Sequence, residues 1–438
     1  MKELMPFQLF GVDFLKKHSH ALLADEMGLG KSAQAIVASL KIQATKILVI
    51  CPASVRSSWQ QEIVDWGQNP DRFTVMSYNE VVAVYEKLTP NDRWDLLIID
   101  EAHFCKTPES QRTQAVFGPR GVARSSSIIW ALSGTPLLNR PVELYPLLAT
   151  LAADKIAPYN SYTAFTQKFC GAHFDGRGIN VKGASNLADL RQRLEGRFML
   201  RRTVDEVLPD LPPVSITRPA LELTAKEMAP VSEIENEILD REAFLSSVKE
   251  DYAGLGDLAR IRKAVGMAKA KKIAAYVEDL IEIGGSENTK VVIFYWHTAV
   301  ADLLDQELGH YLPVRYCGGM TDKAKDAAKK TFITDKDCNV FLGQIAASGT
   351  GINGLQTASS IMVFAEIDWS PEVMKQNMAR LRRIGMDMNK PVFCHIPHVP
   401  GTIESAVLSV NIRKEEVIGK LMGPVVDESG IKLLGDLW

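Results

Sequence analysis

The sequence has 438 residues, of which 46% are hydrophobic and 24% charged, the proportions of a globular protein with room for two or three domains. Its formal net charge of −3 excludes a global positive field, so contact with nucleic acid would have to come from local basic surfaces. No apolar stretch approaches the roughly 18 residues of a membrane span, and the N-terminus lacks an apolar signal core, so we expect an intracellular protein without a membrane partner.

Short runs of apolar and branched residues recur along the chain, each followed by turn residues or a polar loop. Continuous apolar runs of this length predict strands that are buried on both faces, as parallel sheets require. They fall into two groups, at about 20–135 and 290–396, with members at residues 47–51, 96–99, 128–132, 291–295, 340–342, 361–364 and 392–394. Helical patterns lie between them, and Val300, Leu303, Leu304 and Leu308 share one helix face. The alternation predicts an α/β fold with two doubly wound parallel sheets.

The middle of the chain has a different pattern. Helical periodicity dominates residues 141–206 and 221–280, and the intervening segment 208–213 has three prolines, which cannot continue a helix. We therefore predict six regions: lobe 1 (1–140), its helical appendage (141–206), a proline-rich linker (207–220), a second helical appendage (221–280), lobe 2 (281–400) and a C-terminal tail that packs on the core (401–438).

A glycine turn followed by Lys31 and Ser32 comes early in the first lobe. Glycines let the backbone wrap so that its amides point at phosphate oxygens, and the following helix N-terminus adds partial positive charge. Lys31 would contact the β- and γ-phosphates of ATP, and the Ser32 hydroxyl would bind Mg²⁺. Asp25 occupies the first glycine position of the strict phosphate-loop pattern, so this pattern is not fully met. The predicted nucleotide contacts are Gly28, Leu29, Gly30, Lys31 and Ser32.

Two adjacent carboxylates, Asp100 and Glu101, directly follow the predicted strand at 96–99. Ending a buried strand with two acids is costly unless they meet cations or face a cleft. In nucleotide hydrolysis, Asp100 would hold Mg²⁺ and Glu101 would position or deprotonate the attacking water. The alternative is a simple acidic turn, and Lys31 upstream favours the nucleotide site.

Two cation-rich segments are candidates for local nucleic-acid surfaces. Residues 191–202 carry five arginines beside the single acid Glu195, and residues 260–272 carry six cations and no acid. Either segment could equally be a solvated helix face.

Late in the second lobe, Gln376, Arg380 and Arg383 would share one face of a helix. Arginine presents a fixed fork of donors that can stabilise charge on a γ-phosphate during its transfer. If the second lobe supplies these arginines, hydrolysis depends on lobe closure, as a motor requires. The alternative is a solvated basic face or a contact to a nucleic-acid backbone.

Together these blocks resemble the Swi/Snf-type ATPases of the superfamily-two helicase fold, also described as DEAH-box proteins, over nearly the whole chain. Residues 25–31 are that family's form of the phosphate loop, and Gln8 lies in the position of its adenine-reading glutamine. The most discriminating block is 198–202 running into 205–213. The resemblance implies two RecA-like lobes, and residues 364–369 look closest to the annealing-helicase branch.

Further blocks resemble the family's DNA-contacting segments. Residues 51–54, followed by Trp59, resemble the block that contacts one DNA strand, and 133–136 resemble the block that couples hydrolysis to DNA movement. Residues 349–353 and 368–371 resemble later blocks, and Arg380 and Arg383 fall on the arginine-finger positions. The resemblance implies nucleotide contacts at Gly351 and Gln376, and DNA contacts at Pro52, Ala53, Ser54, Ser133, Thr135, Gly349, Thr350 and Trp369.

Some positions depart from the family pattern. The last block usually has an acid, a histidine and a final glutamine where this chain has Ala379, Arg382 and Met386. These changes could weaken the coupling between DNA binding and hydrolysis. No segment resembles a known docking module, which fits a minimal bacterial or phage motor.

The sequence therefore predicts an ATP- and Mg²⁺-dependent translocase that steps along double-stranded DNA as a monomer. We expect a cytoplasmic location, close to the nucleoid or in a phage-infected bacterial cell, or a nuclear one if the source is eukaryotic. The scattered cysteines, which lack Cys-x-x-Cys spacing, fit reduced thiols in such a compartment. One alternative is a helicase that separates strands of DNA or RNA. A second is a nucleic-acid scaffold with a degenerate ATPase, and a metabolic phosphate-loop kinase would not explain two sheets.

Overall fold

A computed structural model describes residues 3–87, 92–136, 140–176, 178–237, 255–285, 289–348 and 352–422. The chain divides into two compact units, the first built mainly from residues up to Pro209 and the second from Asp210 to Lys414. None of the helices in these described ranges is both long and apolar enough to cross a membrane.

Within the described residues, the first unit contains a sheet of six parallel strands. These are β1 (His20–Leu23), β2 (Ile47–Cys51), β3 (Phe73–Ser77), β4 (Trp94–Asp100), β5 (Ser126–Leu132) and β8 (Met199–Leu200). Their order across the sheet is β3-β2-β4-β5-β1-β8. A separate antiparallel hairpin joins β6 (His173–Phe174) to β7 (Ile179–Asn180). The helices are α1 (Pro6–Lys17), α2 (Lys31–Lys41), α3 (Arg56–Asp65), α4 (Tyr78–Val84), α5 (Gln111–Phe117), α6 (Tyr145–Leu151), α7 (Tyr162–Phe169), α8 (Leu187–Leu194) and α9 (Val204–Val207).

Both faces of this sheet are covered, which explains why its strands are apolar without interruption. In β2, Leu48 and Ile50 pack in the core on one face, whereas Ile47, Val49 and Cys51 pack in the core on the other. Successive side chains of a strand point to opposite faces, so a strand covered on both sides needs an apolar residue at every position.

The second unit contains, among its described residues, another sheet of six parallel strands. These are β9 (Val214–Thr217), β10 (Val291–Tyr295), β11 (Val314–Tyr316), β12 (Val340–Gln344), β13 (Ile361–Phe364) and β14 (Val392–His395), in the order β11-β12-β10-β13-β14-β9. The helices are α10 (Ala225–Glu237), α11 (Leu255–Ile283), α12 (Thr298–Glu307), α13 (Asp322–Thr334), α14 (Ile345–Ser348), α15 (Pro371–Met378) and α16 (Ile403–Met422). The predicted α/β fold with two doubly wound parallel sheets is confirmed.

The predicted apolar face of α12 lies in the core of the second unit. Val300 and Leu304, with Leu308 directly after the helix, are fully buried against β10 and the long helix α11, while Leu303 is only half-buried at the margin. The helical period therefore identified the packed face correctly, because residues spaced by three and four positions lie on one side of a helix.

The central regions differ from the predictions. Residues 207–220 are not wholly a linker, because Val214–Thr217 pairs in parallel with β14 as the edge strand of the second sheet. Its residues alternate between half-buried and exposed, so it lacks the continuous apolar run of an interior strand. The appendage at 141–206 is not wholly helical either, since it contains the hairpin β6–β7 and the strand β8, which pairs with β1. With two residues, β8 is too short to leave a periodic signal.

Candidate functional site

The glycine turn of the first unit connects the end of β1 to the start of α2. Gly28 and Gly30 have left-handed backbone angles, with φ of 87° and 71°. Gly30 precedes the helix directly, and no side chain among the described residues caps the first turn of α2. The amides of that turn are therefore available to an anion. A Cβ on Gly30 would lie 2.5 Å from Gln8 Nε2, so a side chain there would displace the end of Gln8.

The side chain of Lys31 contacts the backbone of this loop. Its Nζ donates to the carbonyl oxygen of Asp25 at 2.8 Å and to that of Glu26 at 3.3 Å. Burial lowers the pKa of Lys31, and the nearby carboxylates of Glu101, Asp25 and Asp100 act in the opposite direction. The ammonium group therefore lies in the field of the acidic pair, where a phosphate could compete with the two carbonyls for its protons.

The strand register places the acidic pair beside the loop. Leu23 of β1 and Asp100 of β4 are both in register with Leu132 of β5, which lies between them. Neighbouring strands are about 4.8 Å apart, so Leu23 and Asp100 lie about 10 Å apart at the same edge of the sheet. Parallel strands bring their carboxyl ends to one edge, where open α/β sheets bind ligands.

Asp100 is held by two donors. Its Oδ2 accepts a hydrogen bond from Trp59 Nε1 at 2.7 Å, and its Oδ1 accepts one from the backbone amide of Glu101 at 3.0 Å. Burial and the neighbouring Glu101 raise the pKa of Asp100. Glu101 itself has a left-handed backbone, with φ of 50°, which is uncommon for a residue other than glycine and is typical of functional turns.

These groups fit a magnesium ion. Glu101 raises the pKa of Asp100, so a divalent cation beside the pair would relieve the repulsion between their charges. Hard cations such as Mg²⁺ prefer oxygen ligands. The described residues contain no group of three or more acidic, histidine or cysteine side chains that could hold a metal by themselves. A magnesium site with one or two carboxylates depends on substrate phosphates for further ligands, and Ser32 would add a hydroxyl.

His103 lies between the acidic pair and the segment at 133–136. His103 Nδ1 lies 3.2 Å from Glu101 Oε2 and 3.0 Å from Ser133 Oγ, which also accepts the amide of Thr135 at 3.2 Å. Ser133 and Thr135 are almost fully buried, so in this structure they contact the His103 network and not solvent. His103 directly follows the acidic pair and Ala102 in the sequence, but no role was predicted for it.

The predicted DNA-contacting block after β2 is only partly accessible. Pro52 is buried, Ala53 is exposed and Ser54 is half-buried, at the start of a short 3-10 turn. Trp59, which was grouped with this block, is 2% exposed and bonds to Asp100. The indole of Trp59 is thus enclosed in the core beneath the acidic pair.

Gln8 and Arg202 both contact the phosphate loop. Gln8 accepts the amide of Met5 and donates from Nε2 to the carbonyl of Leu29 at 3.1 Å. Arg202 forms an ion pair with Asp25, the residue at the unmatched glycine position of the loop. Arg202 was not among the predicted site residues, although it ends the distinctive block at 198–202.

Part of the cation-rich segment 260–272 lies in the interior of the second unit. The Arg262 guanidinium carbon is 5.2 Å from the ring centroid of Trp296 and 6.0 Å from that of Trp369. Lys269 is fully buried and pairs with Glu404 at 2.6 Å. The interpretation of this segment as one continuous basic surface is therefore wrong, although Lys271 and Lys272 are exposed.

The arginines at 380 and 383 are not on the predicted helix. Helix α15 ends at Met378, and turn bonds such as Leu381 N to Met378 O replace helical ones before the left-handed Gly385. Arg380 Nη1 donates to the carbonyl of Ile352 at 3.4 Å, and Arg383 Nη1 donates to Asn353 Oδ1 at 2.7 Å.

Both arginines therefore meet at the same segment, and Gln376 is buried one turn earlier. The predicted sites Gly349, Thr350 and Gly351 immediately precede that segment and lie outside the described residues.

Comparisons with known proteins bear on this arrangement. The family of the SNF2-related domain matches residues 7–81 and 68–232, and the helicase conserved C-terminal domain matches residues 272–385. The chain is 30% identical, over 95% of its length, to the SWI/SNF-related matrix-associated actin-dependent regulator of chromatin subfamily A-like protein 1 of Xenopus laevis. It is 28% identical, over 96% of its length, to the DNA annealing helicase and endonuclease ZRANB3 of Homo sapiens.

The chain spans only 44% and 40% of those two relatives. Among solved structures, the Sulfolobus solfataricus SWI2/SNF2 ATPase core in complex with dsDNA is 22% identical and covers 100% of this chain and 95% of its own. The TM-score of that overlay is 0.42, which is too low to support a structural inference.

Proposed function

The chain belongs to the SNF2-related family of helicase-like ATPases, and from this premise we propose that it is an ATP-driven translocase on double-stranded DNA. The predicted resemblance to Swi/Snf-type ATPases is confirmed, and the relatives include a DNA annealing helicase. The observation that carries the proposal is the register of β1, β5 and β4, which brings the loop of Lys31 to the same sheet edge as Asp100 and Glu101.

The proposed roles follow from the contacts of each residue. The loop amides and Lys31 bind the phosphates of ATP, and Lys31 gives up its bonds to the loop carbonyls to do so. The Ser32 hydroxyl and the Asp100 carboxylate would hold Mg²⁺, which would supply positive charge to neutralise the phosphates. Glu101 orients or deprotonates the attacking water, with His103 fixing its side chain. Arg380 and Arg383 stabilise charge on the γ-phosphate.

Duplex DNA is the proposed track because the relatives are named as chromatin regulators and DNA annealing helicases. Ala53, Ser54 and Trp369 are partly accessible and would contact the DNA directly. Ser133 and Thr135 would act through His103 to couple DNA binding to the acidic pair. A monomeric motor in the cytoplasm of a bacterial or phage-infected cell, or in the nucleus if the source is eukaryotic, stays a prediction.

The decisive measurement is the rate of ATP hydrolysis with and without blunt duplex DNA. We expect duplex DNA to stimulate hydrolysis, and Lys31→Ala or Glu101→Gln to lower the stimulated rate by about 100-fold. Lys41→Ala, at the exposed end of the same helix α2, is the matched control and should hydrolyse ATP like the wild type. A stimulated rate no higher than the basal rate would rule out the motor.

One feature favours a strand-separating helicase as a second candidate. Phe174 and Ile179 face each other across the β6–β7 hairpin and are 73% and 72% exposed. An exposed aromatic ring can stack on an unpaired base. Displacement of a third strand from a blunt triplex would support translocation, whereas unwinding restricted to tailed duplexes would support this alternative.

A further inference from the structure

The phosphate loop is an extension of the pairing between β1 and β8. The amide of Leu22 donates to Phe198 O at 2.8 Å, and the amide of Ala24 donates to Leu200 O at 2.7 Å. Beyond the end of both strands, the amide of Glu26 donates to Arg202 O at 2.9 Å. Alternate residues of the loop entrance are therefore hydrogen-bonded to the segment 198–202.

Side chains reinforce this pairing, chiefly through Arg202. Its Nε donates to Asp25 Oδ1 at 2.9 Å, and its Nη2 donates both to Asp25 Oδ2 and, at 3.0 Å, to Gln34 Oε1. Its Nη1 donates to the carbonyl of Phe7, beside Gln8. One guanidinium thus joins the loop, helix α2 and helix α1, the three elements that carry the predicted nucleotide contacts of the first unit.

The Asp25 carboxylate is enclosed and satisfied. Asp25 is 0% exposed, and besides Arg202 it accepts a hydrogen bond from Gln34 Nε2 at 3.1 Å. A buried carboxylate that loses its cation becomes an uncompensated charge, which is strongly destabilising locally. The loop conformation at Asp25 therefore depends on Arg202.

Asp25 and Glu26 of the loop also hold Lys31. Its Nζ donates to the carbonyls of Asp25 and Glu26, while the Glu26 carboxylate accepts the amide of Val204 at 2.6 Å. A phosphate that draws Lys31 away would release those carbonyls. The loop would then rely on Arg202 and Val204 to keep its shape.

We propose that Arg202 is a positioning residue for ATP, which sets the affinity of the phosphate loop for nucleotide through its ion pair with Asp25. The inference rests on the proposed function, since it requires the loop to bind ATP. Arg202 does not touch the reacting atoms in this scheme. Its removal should therefore raise the KM for ATP and the Kd of a nonhydrolysable ATP analogue, with little change in kcat at saturating ATP.

The test compares Arg202→Met, Asp25→Asn and the double variant in the full chain. Arg202→Met should weaken binding of the ATP analogue by about tenfold or more, because it leaves the buried Asp25 carboxylate without its cation. The double variant should bind at least about threefold more tightly than Arg202→Met alone, since removing both charges relieves that cost. Arg315→Met, which removes an arginine paired with Asp302 and Asp305 in the second unit, is the control and should bind like the wild type.

The outcomes separate this inference from the proposed function. If the wild type itself fails to bind the analogue, the proposed function is wrong. If the wild type binds and Arg202→Met binds equally well, or if the double variant is no better than Arg202→Met, the role of Arg202 is wrong. Should Arg202→Met fail to fold, Arg202→Lys and Asp25→Asn decide instead, because wild-type affinity in both folded variants would overturn the inference.

Discussion

Asp100 has both carboxylate oxygens engaged by donors, yet it keeps the capacity to bind a cation. Each oxygen accepts one hydrogen bond, from Trp59 Nε1 and from the Glu101 amide, and a carboxylate offers about four lone-pair positions. The two bonds fix the orientation of the group. The bond from Trp59 also favours the charged form, against burial and Glu101, which raise the pKa of Asp100.

Replacing Trp59 with phenylalanine should make ATP hydrolysis more sensitive to acid. Without the indole donor, the pKa of Asp100 rises further, so protonation begins at a higher pH and competes with Mg²⁺ binding. We expect the acidic limb of the pH–rate profile to move to higher pH. The Mg²⁺ concentration for half-maximal rate should increase by about tenfold, because a hydrogen bond to a charged group contributes about 1.5–3 kcal/mol.

The matched control is Trp66→Phe, the same substitution at the end of the same helix α3. Trp66 is half-buried and packs against the core, but Asp100 accepts its indole bond from Trp59. An unchanged pH profile in Trp59→Phe, with normal folding, would contradict the assigned role of the indole.

Among the elements, the long helix α11 is anchored by a buried ion pair. Lys269 is 0% exposed, and its Nζ donates to Glu404 Oε1 at 2.6 Å and to the carbonyl of Pro397 at 2.8 Å. The second oxygen of Glu404 accepts the amide of Val399 at 3.0 Å. The pair thus joins α11, the segment after β14 and the start of α16, so residues 403–414 of the predicted tail pack within the second unit.

Lys269→Met should destabilise the protein by about 3 kcal/mol, since it leaves the buried Glu404 carboxylate without its cation. Lys269→Met/Glu404→Gln should recover part of that loss. Urea unfolding of each variant measures the free energy of unfolding. Lys271→Met, at an exposed position of the same helix, should unfold like the wild type. A similar loss of unfolding free energy in Lys271→Met would show a general effect of the substitution on α11 and contradict the role of the ion pair.

At the scale of the whole molecule, the net charge of −3 means that attraction to DNA depends on limited surfaces. Parts of the two cation-rich segments are internal: Lys269 and Arg262 hold the second unit together, and Arg202 holds the phosphate loop. Fewer cations are therefore available to DNA phosphates than the two cation-rich segments contain.

Affinity for duplex DNA should still fall steeply with salt, because phosphate contacts release counterions. Raising the salt from about 50 to about 200 mM should weaken DNA binding by at least about tenfold. Titration of a labelled duplex by fluorescence anisotropy measures this change. Lys31→Ala should show the same salt dependence as the wild type, and an affinity independent of salt would contradict the phosphate-backbone mode of binding.

The sequence by itself determined the features whose signals are local. Continuous apolar runs identified the interior strands, and the spacing of Val300, Leu304 and Leu308 identified a buried helix face. Lys31 follows one apolar run, and Asp100 and Glu101 follow another. The structure places them at one sheet edge, because parallel strands end on the same side.

Only the tertiary structure decided which distant residues meet. The partners Arg202 and Asp25 are 177 positions apart, and Trp59 and Asp100 are 41 apart, so no local pattern links them. The edge strand β9 and the end of α15 at Met378 also depend on neighbours and turn bonds that periodicity does not contain. Local periodicity reports which face of an element is buried, whereas the partner of a buried charge is set by the packing of the complete chain.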